Sequence, residues 1–159
     1  MLIDAHQHFW RVGRNGFEWP TPELSAIYRD FGPADLAAVG APLGLSGAVA
    51  VQSQANDADT DWLLDLAEGS PLVLGVVGWA DLEAPGAPQR IAALAGRPKL
   101  RGLRPMLQNL ADDAWIARPS LAPRWTPWPR TASASMRWST PATCRTCGGW
   151  RSAGRTSPW

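Results

Sequence analysis

The sequence lacks any segment typical of export or of insertion into a membrane. The N-terminus, Met1–His6, has neither the basic start nor the long apolar run of a signal peptide. No apolar stretch approaches the ~20 residues that a transmembrane helix requires. We therefore expect a soluble, cytoplasmic protein with no membrane partner.

Histidine and cysteine, which supply most metal and redox sites, are scarce. The 159 residues include two histidines, His6 and His8, and two cysteines, Cys144 and Cys147. A lone Cys-X-X-Cys with no second pair is a weak signal for a metal or redox site. The cysteines therefore say little about the redox compartment, and the histidines are the stronger candidates for metal chemistry.

The C-terminal part of the chain lacks both acidic and large aliphatic residues. Residues 124–159 contain no Asp, Glu, Leu, Ile, Val or Phe, although they contain six Arg and five Trp. Residues 1–123 carry 9 basic and 14 acidic side chains, a net charge of −5. Because no ordinary core can be built from the C-terminal composition, we predict a folded domain at 1–122 and a disordered tail at 123–159.

The N-terminal part alternates between apolar runs and amphipathic segments. The predicted strands are 2–9, 44–52, 72–79 and 100–107; the predicted helices are 33–39, 56–68 and 88–95, with a long loop at 10–32 and one more helix capped by Asp112 or Asp113. Such alternation indicates an α/β fold with parallel strands, either an open doubly wound sheet or a (β/α)8 barrel. No glycine-rich phosphate loop follows the first strand, which weakens the nucleotide-binding alternative.

The two histidines end the first predicted strand. Since side chains alternate between the faces of a strand, His6 and His8 point to one face and Gln7 to the other. In parallel barrels the carboxyl ends of the strands carry the chemistry. Two imidazoles at that place can hold one divalent ion, which polarises a carbonyl and lowers the pKa of its water. The alternative is a pair of ordinary polar histidines at a strand end.

Three segments have distinctive sequences: Ile3–Trp10 (IDAHQHFW), Gly75–Leu82 (GVVGWADL) and Leu100–Leu107 (LRGLRPML). In this order they resemble the amidohydrolase-related family of metal-dependent hydrolases, and within it the lactonase-like branch that includes sugar-lactone and pyrone-dicarboxylate lactonases. The resemblance covers residues 1–122. It implies the N-terminal half of a TIM-type (β/α)8 barrel, since ~250 residues make a whole one, and hydrolysis of a small-molecule lactone or related carbonyl compound.

The resemblance also implies a site. His6 and His8 match the first-strand pair of metal ligands, and the cofactor would be a divalent ion, zinc in many relatives, although some relatives work without metal. Arg104, Gln52 and Trp79 stand at predicted strand ends, where they are candidates for substrate binding. Arg104 would take a carboxylate or oxyanion, with a structural arginine as the alternative. For Trp79 the alternative is core packing.

The remaining parts of the family's site are missing from these residues. The family takes further ligands and a catalytic aspartate from later strands, but no histidine follows His8 and no Asp or Glu follows Asp113. Two histidines leave a zinc site short of ligands. We therefore expect negligible activity from this chain, and poor solubility because a half-barrel exposes strand edges.

A shifted reading frame explains the unusual tail. Tryptophan has the single codon TGG, so reading from its last base forces an aspartate at Trp125–Thr126 and an alanine at Trp128–Pro129. With suitable third bases elsewhere, the shifted frame reads as a helix, a strand and a second helix. We therefore predict that residues 123–159 are the wrong frame of the same gene.

The alternative is a genuine basic tail. Arginine interleaved with tryptophan can bind single-stranded nucleic acid through phosphate contacts and base stacking. A composition of this kind is only a weak indication of that function. We expect a small-molecule partner and no nucleic acid.

Overall fold

The computed structural model describes residues 1–108, 110–112 and 114–121, so the predicted disordered tail lies outside the described residues. Four parallel strands form one sheet in the order β1-β2-β3-β4. The strands are β1 (Leu2–His8), β2 (Leu45–Val51), β3 (Val73–Gly78) and β4 (Leu100–Leu103); the helices are α1 (Pro33–Gly40), α2 (Asp57–Glu68) and α3 (Ala87–Ala95). The predicted alternation of strands and helices is confirmed.

Local signals in the sequence set the helix boundaries. Pro33 occupies the first turn of α1, where its missing N–H has no partner to lose. Asn56 precedes α2, and its Oδ1 accepts a hydrogen bond from the Asp59 N–H at 2.9 Å. Gly69 follows the last turn of α2. These are the start and stop signals that the sequence predicts.

Two predicted elements differ from the structure. The fourth strand ends at Leu103 rather than at residue 107. Pro105 has no N–H to donate to a neighbouring strand, so the ladder stops near it. In place of a helix capped by Asp112, a short 3-10 turn spans Trp115–Ala117, and Asp112 Oδ1 accepts from the Ala114 N–H at 2.9 Å.

The register of the strands separates the two faces of the sheet. Gln7 pairs with Ala50, Ala50 with Val76, and Val76 with Leu100, so these residues share the face that meets the helices. The buried core lies on this face; it includes Ala50, Val76 and Leu100, Leu63, Leu64 and Ala67 of α2, and Ile91 and Leu94 of α3. We call this side the helix face.

The opposite side, which we call the open face, carries the register His8–Val51–Val77–Gly102. Val77 and His8 are half-buried. At the sheet edge, Leu2 and Ile3 of β1 remain 48% and 41% exposed, and β1 and β4 each pair on one side only among the residues placed by the structure. No helix of this described part is long and apolar enough to cross a membrane.

Candidate metal and substrate site

The two histidines meet at the carboxyl end of β1. The His6 and His8 Nε2 atoms lie 3.2 Å apart, and their ring centroids are 4.9 Å apart. His8 lies in register with Val51 on the open face, whereas Gln7 between the histidines is in register with Ala50 on the helix face. The pair therefore has the same-face arrangement that strand alternation predicts.

The backbone of β2 orients the His8 ring. Its Nδ1 lies 3.0 Å from the Val51 carbonyl oxygen, which can only accept, so Nδ1 carries the proton and donates it. Burial lowers the pKa of His8 below its ordinary value, and the positive charges of His6 and Arg104 act in the same direction. In its neutral form, a ring held in this way presents the lone pair of Nε2 toward His6.

The separation of the two Nε2 atoms suits a shared metal ion. Two nitrogens bound to one tetrahedral zinc at ~2.05 Å are ~3.3 Å apart, which is close to the observed 3.2 Å. Within residues 1–108, 110–112 and 114–121, however, no group of three or more His, Cys, Asp or Glu side chains could hold a metal. Asp4, the nearest acid along β1, uses Oδ1 to accept the His6 backbone N–H at 3.0 Å. The histidines thus fit as two ligands of an incomplete set.

The structure brings two of the predicted substrate residues together. Gln52 is fully buried, and its Nε2 donates to the Arg104 carbonyl oxygen at 3.3 Å, while its Oε1 has no hydrogen-bond partner in the described part of the chain. Arg104 is half-buried, and its backbone N–H donates to the Gly78 carbonyl at 2.8 Å. Gln52 therefore links the ends of β2 and β4 beside the histidine pair.

Trp79 follows β3, between these two strand ends. Its N–H donates to Thr60 Oγ1 at 2.7 Å, and its carbonyl accepts from the same hydroxyl at 2.8 Å. The residue is half-buried and does not belong to the core between the sheet and the helices. Thr60, on α2, thus fixes the backbone at the end of β3, and Trp79 stays a candidate for the pocket wall.

The long loop at 10–32 supplies an aromatic residue that the sequence analysis does not single out. The Trp19 ring meets the His8 ring edge-on, with centroids 6.5 Å apart. The Gln54 side chain holds the backbone of Trp19 from the end of β2. A glutamine three residues after a strand that ends in the site is the only signal that could have indicated this contact.

Comparison with known proteins identifies the family. The family model described as "Amidohydrolase" matches residues 3–134. The chain belongs to the amidohydrolase family. It is 53% identical over 121 residues to an L-fucono-1,5-lactonase of Burkholderia ambifaria, covering 76% of this chain and 42% of that protein. It is 39% identical over 112 residues to an L-fucono-1,5-lactonase of Burkholderia multivorans, covering 70% of this chain and 38% of that protein.

Solved structures confirm the fold. An amidohydrolase from Burkholderia multivorans, 36% identical in sequence, matches 77% of this chain with a TM-score of 0.68 in two crystal structures. The match covers 42% of the solved chain in the structure with bound HEPES and 43% in the structure with bound zinc. An amidohydrolase from Bifidobacterium longum, 21% identical with a TM-score of 0.53, has the same fold. The predicted α/β fold of a barrel family is thus confirmed. The chain spans about two fifths of the length of the curated relatives it matches.

Proposed function

We propose that residues 1–122 supply the first four strands, and the three helices between them, of an amidohydrolase that hydrolyses a small sugar lactone. The observation that carries the proposal is the pair of imidazole Nε2 atoms, 3.2 Å apart at the carboxyl end of β1. The names of the two Burkholderia relatives support a lactone as the substrate. The lactone carbonyl would lie above the carboxyl ends of the strands.

In this proposal His6 and His8 hold a divalent ion, zinc for preference, as the zinc-bound Burkholderia structure suggests. Bound there, such an ion supplies a Lewis acid for the carbonyl and lowers the pKa of a water molecule. The Val51 carbonyl keeps the His8 ring oriented by accepting from Nδ1. Arg104, whose charge acts on His8, would bind a substrate carboxylate or stabilise negative charge on the carbonyl oxygen.

We propose further that these 159 residues do not catalyse the reaction by themselves. A catalytic zinc takes three protein ligands, and the sequence contains no histidine after His8 and no acid after Asp113. The apolar edge residues Leu2 and Ile3 would also favour association between chains.

In this proposal, a frameshift near Pro123 explains why the later histidines and acids of the family's site are missing. Resequencing codons 118–128 and several hundred downstream bases tests it. An inserted or deleted base, followed by a frame that encodes further histidines and an aspartate, is the expected result. A confirmed frame with no barrel sequence downstream would overturn it and favour the binding of nucleic acid by the basic tail.

The activity test compares the 159-residue chain with the protein encoded by the corrected frame. Both are given zinc and L-fucono-1,5-lactone, and acid release is followed. We expect hydrolysis by the corrected protein, a loss of activity on the order of 100-fold in its His8→Ala variant, and no hydrolysis by the 159-residue chain. Lactone turnover by the 159-residue chain, or an inactive corrected protein, would contradict the proposal.

A further inference from the structure

We propose that Trp19 forms an aromatic wall of the lactone pocket and that Gln54 is the residue that positions it. The inference rests on the proposed function for the nature of the ligand. The positioning of Trp19 rests on contacts within this chain alone. The ligand it fits is a pyranose-type lactone, with C–H bonds across one ring face and hydroxyl groups at the rim.

The Trp19 ring is supported on one side and accessible on the other. It packs edge-on against Trp10 with centroids 5.3 Å apart, and Trp10 in turn packs on Phe31 at 4.8 Å. Trp10 is 7% exposed, and two backbone hydrogen bonds of 3.1 and 3.0 Å tie it to Phe31. Trp19 itself remains 39% exposed beside His8. An indole fixed by its neighbours and partly exposed beside His8 is a surface on which a ligand can pack.

A single side chain holds the backbone of Trp19. Gln54 Oε1 accepts from the N–H groups of Glu18 and Trp19 at 2.8 and 3.2 Å, and Gln54 Nε2 donates to the Trp19 carbonyl at 2.7 Å. Both backbone polar groups of Trp19 are therefore satisfied by one residue, which is 4% exposed. Losing this side chain would leave them without these partners.

The Gln54 backbone is itself anchored by α2. Asp59 Oδ2 accepts from the N–H groups of Ser53 and Gln54 at 2.8 and 3.1 Å. Asn56 adds a second clamp on the same loop, donating through Nδ2 to the Asn15 and Gly16 carbonyls at 3.0 and 3.2 Å. A chain of polar contacts thus runs from α2 through Gln54 to the aromatic wall beside His8.

The chemistry of the pocket follows from what these residues offer. The indole gives an apolar face, while His6, His8 and Arg104 give polar and charged groups at the carboxyl ends of the strands. Ligand sites combine aromatic walls with a few such polar groups. A sugar lactone has matching parts, since its C–H face can lie on Trp19 while its carbonyl meets the polar end.

The first experiment needs neither metal nor substrate. The chain has two histidines, so histidine labelled with carbon-13 gives two sets of ring signals in dilute full-length protein. Trp19→Leu should shift the His8 ring protons by removing the indole ring current. Gln54→Ala should reproduce at least half of that shift. The control Thr60→Val, which removes the equivalent clamp on Trp79, should leave the His8 signals in place.

The second experiment measures binding of L-fucose, a pyranose that cannot be hydrolysed, in the corrected-frame protein. Trp19→Leu and Gln54→Ala should each weaken L-fucose binding about tenfold, with zinc affinity unchanged. Gln54→Glu, which keeps both acceptor contacts but not the donor, should lie between wild type and Gln54→Ala. Gln54→Glu also tests the positioning role of Gln54 if Gln54→Ala fails to fold.

The outcomes separate the inference from the proposed function. A Gln54→Ala protein with wild-type His8 signals, or a Trp19→Leu protein that binds L-fucose normally, would overturn the inference even if zinc and lactone chemistry hold. Absence of zinc binding at His6 and His8, together with the predicted shifts and weakened L-fucose binding, would overturn the proposed function and leave the aromatic wall intact.

Discussion

The two faces of the sheet differ in how complete they are. On the helix face, Ala50, Val76 and Leu63 are fully buried by side chains that this chain itself provides. On the open face, Val51 and Gly102 are buried, but Val77 and His8 are only half-buried. The candidate metal ligands lie on the open face. Packing of the helices therefore stabilises the sheet without completing the site, and fold and function can be perturbed separately.

We expect the largest effect on the free energy of unfolding when one apolar side chain is truncated on each face, which tests this comparison directly. Leu63→Ala should lower the free energy of unfolding by about 2–5 kcal/mol, because it leaves a cavity in the buried core. Val77→Ala should cost under about 1 kcal/mol, since its side chain is already partly solvated. Urea denaturation of both variants checks the difference. Equal losses would show that the open face is as well packed as the helix face.

The next effect concerns Asp59, which anchors the turn after β2. Asp59→Ala should cost about 1–3 kcal/mol, because the buried N–H groups of Ser53 and Gln54 lose their acceptor. Asp59→Asn keeps one acceptor oxygen and should cost less. The midpoint of urea unfolding for the two variants measures this order, which would be contradicted by equal destabilisation.

The same carboxyl group predicts a dependence on pH. Burial raises the pKa of Asp59 above 3.8, although hydrogen bonds from Gln54 and Ser53 oppose the shift. The folded state therefore binds this proton more tightly than the unfolded state does. Relative to Asp59→Asn, the wild type should be most stable below pH 3.8, and the difference in stability should shrink as pH rises through the raised pKa. Urea midpoints at pH 4 and pH 7 test this, and an advantage that grows with pH would contradict it.

The smallest effect belongs to the surface between α2 and α3. Arg90 forms ion pairs with Asp57 at 3.1 Å and Asp61 at 2.8 Å, and both carboxylates are about half exposed. Arg90→Met should cost about 0.2–1 kcal/mol at low salt and less at high salt, since solvent screens such pairs. Thermal unfolding at two salt concentrations measures it. A loss comparable to that of Leu63→Ala would mean that charge, rather than packing, holds the helix face together.

Local patterns in the sequence predict most of the elements and the histidine pair. The strand alternation of His6 and His8 requires only neighbouring residues, as does the cap at Asn56. The early end of β4 follows from Pro105, a local signal that was outweighed by the apolar residues running from Leu100 to Leu107. Errors of this kind arise where apolar residues continue past the end of a strand.

Local sequence patterns do not predict contacts between residues that are distant along the chain. Gln54 lies 35 residues from Trp19 along the chain, so no periodicity relates the two residues. Gln52, predicted from its position to line the pocket, is fully buried and hydrogen-bonded to Arg104, 52 residues away. The direction of a side chain just beyond a strand depends on neighbouring strands, which the sequence alone does not place. Its role in substrate binding stays a prediction.

The central claim is that His6 and His8 form one half of a divalent-metal site. The most direct measurement is a zinc titration of the full chain with Cys144 and Cys147 replaced by serine, followed through the ring signals of the two histidines. We predict that both sets of signals move together and saturate at one zinc per chain, and that His6→Ala or His8→Ala weakens binding by at least about tenfold. Signals that stay unchanged, or that respond with separate affinities, would contradict the claim.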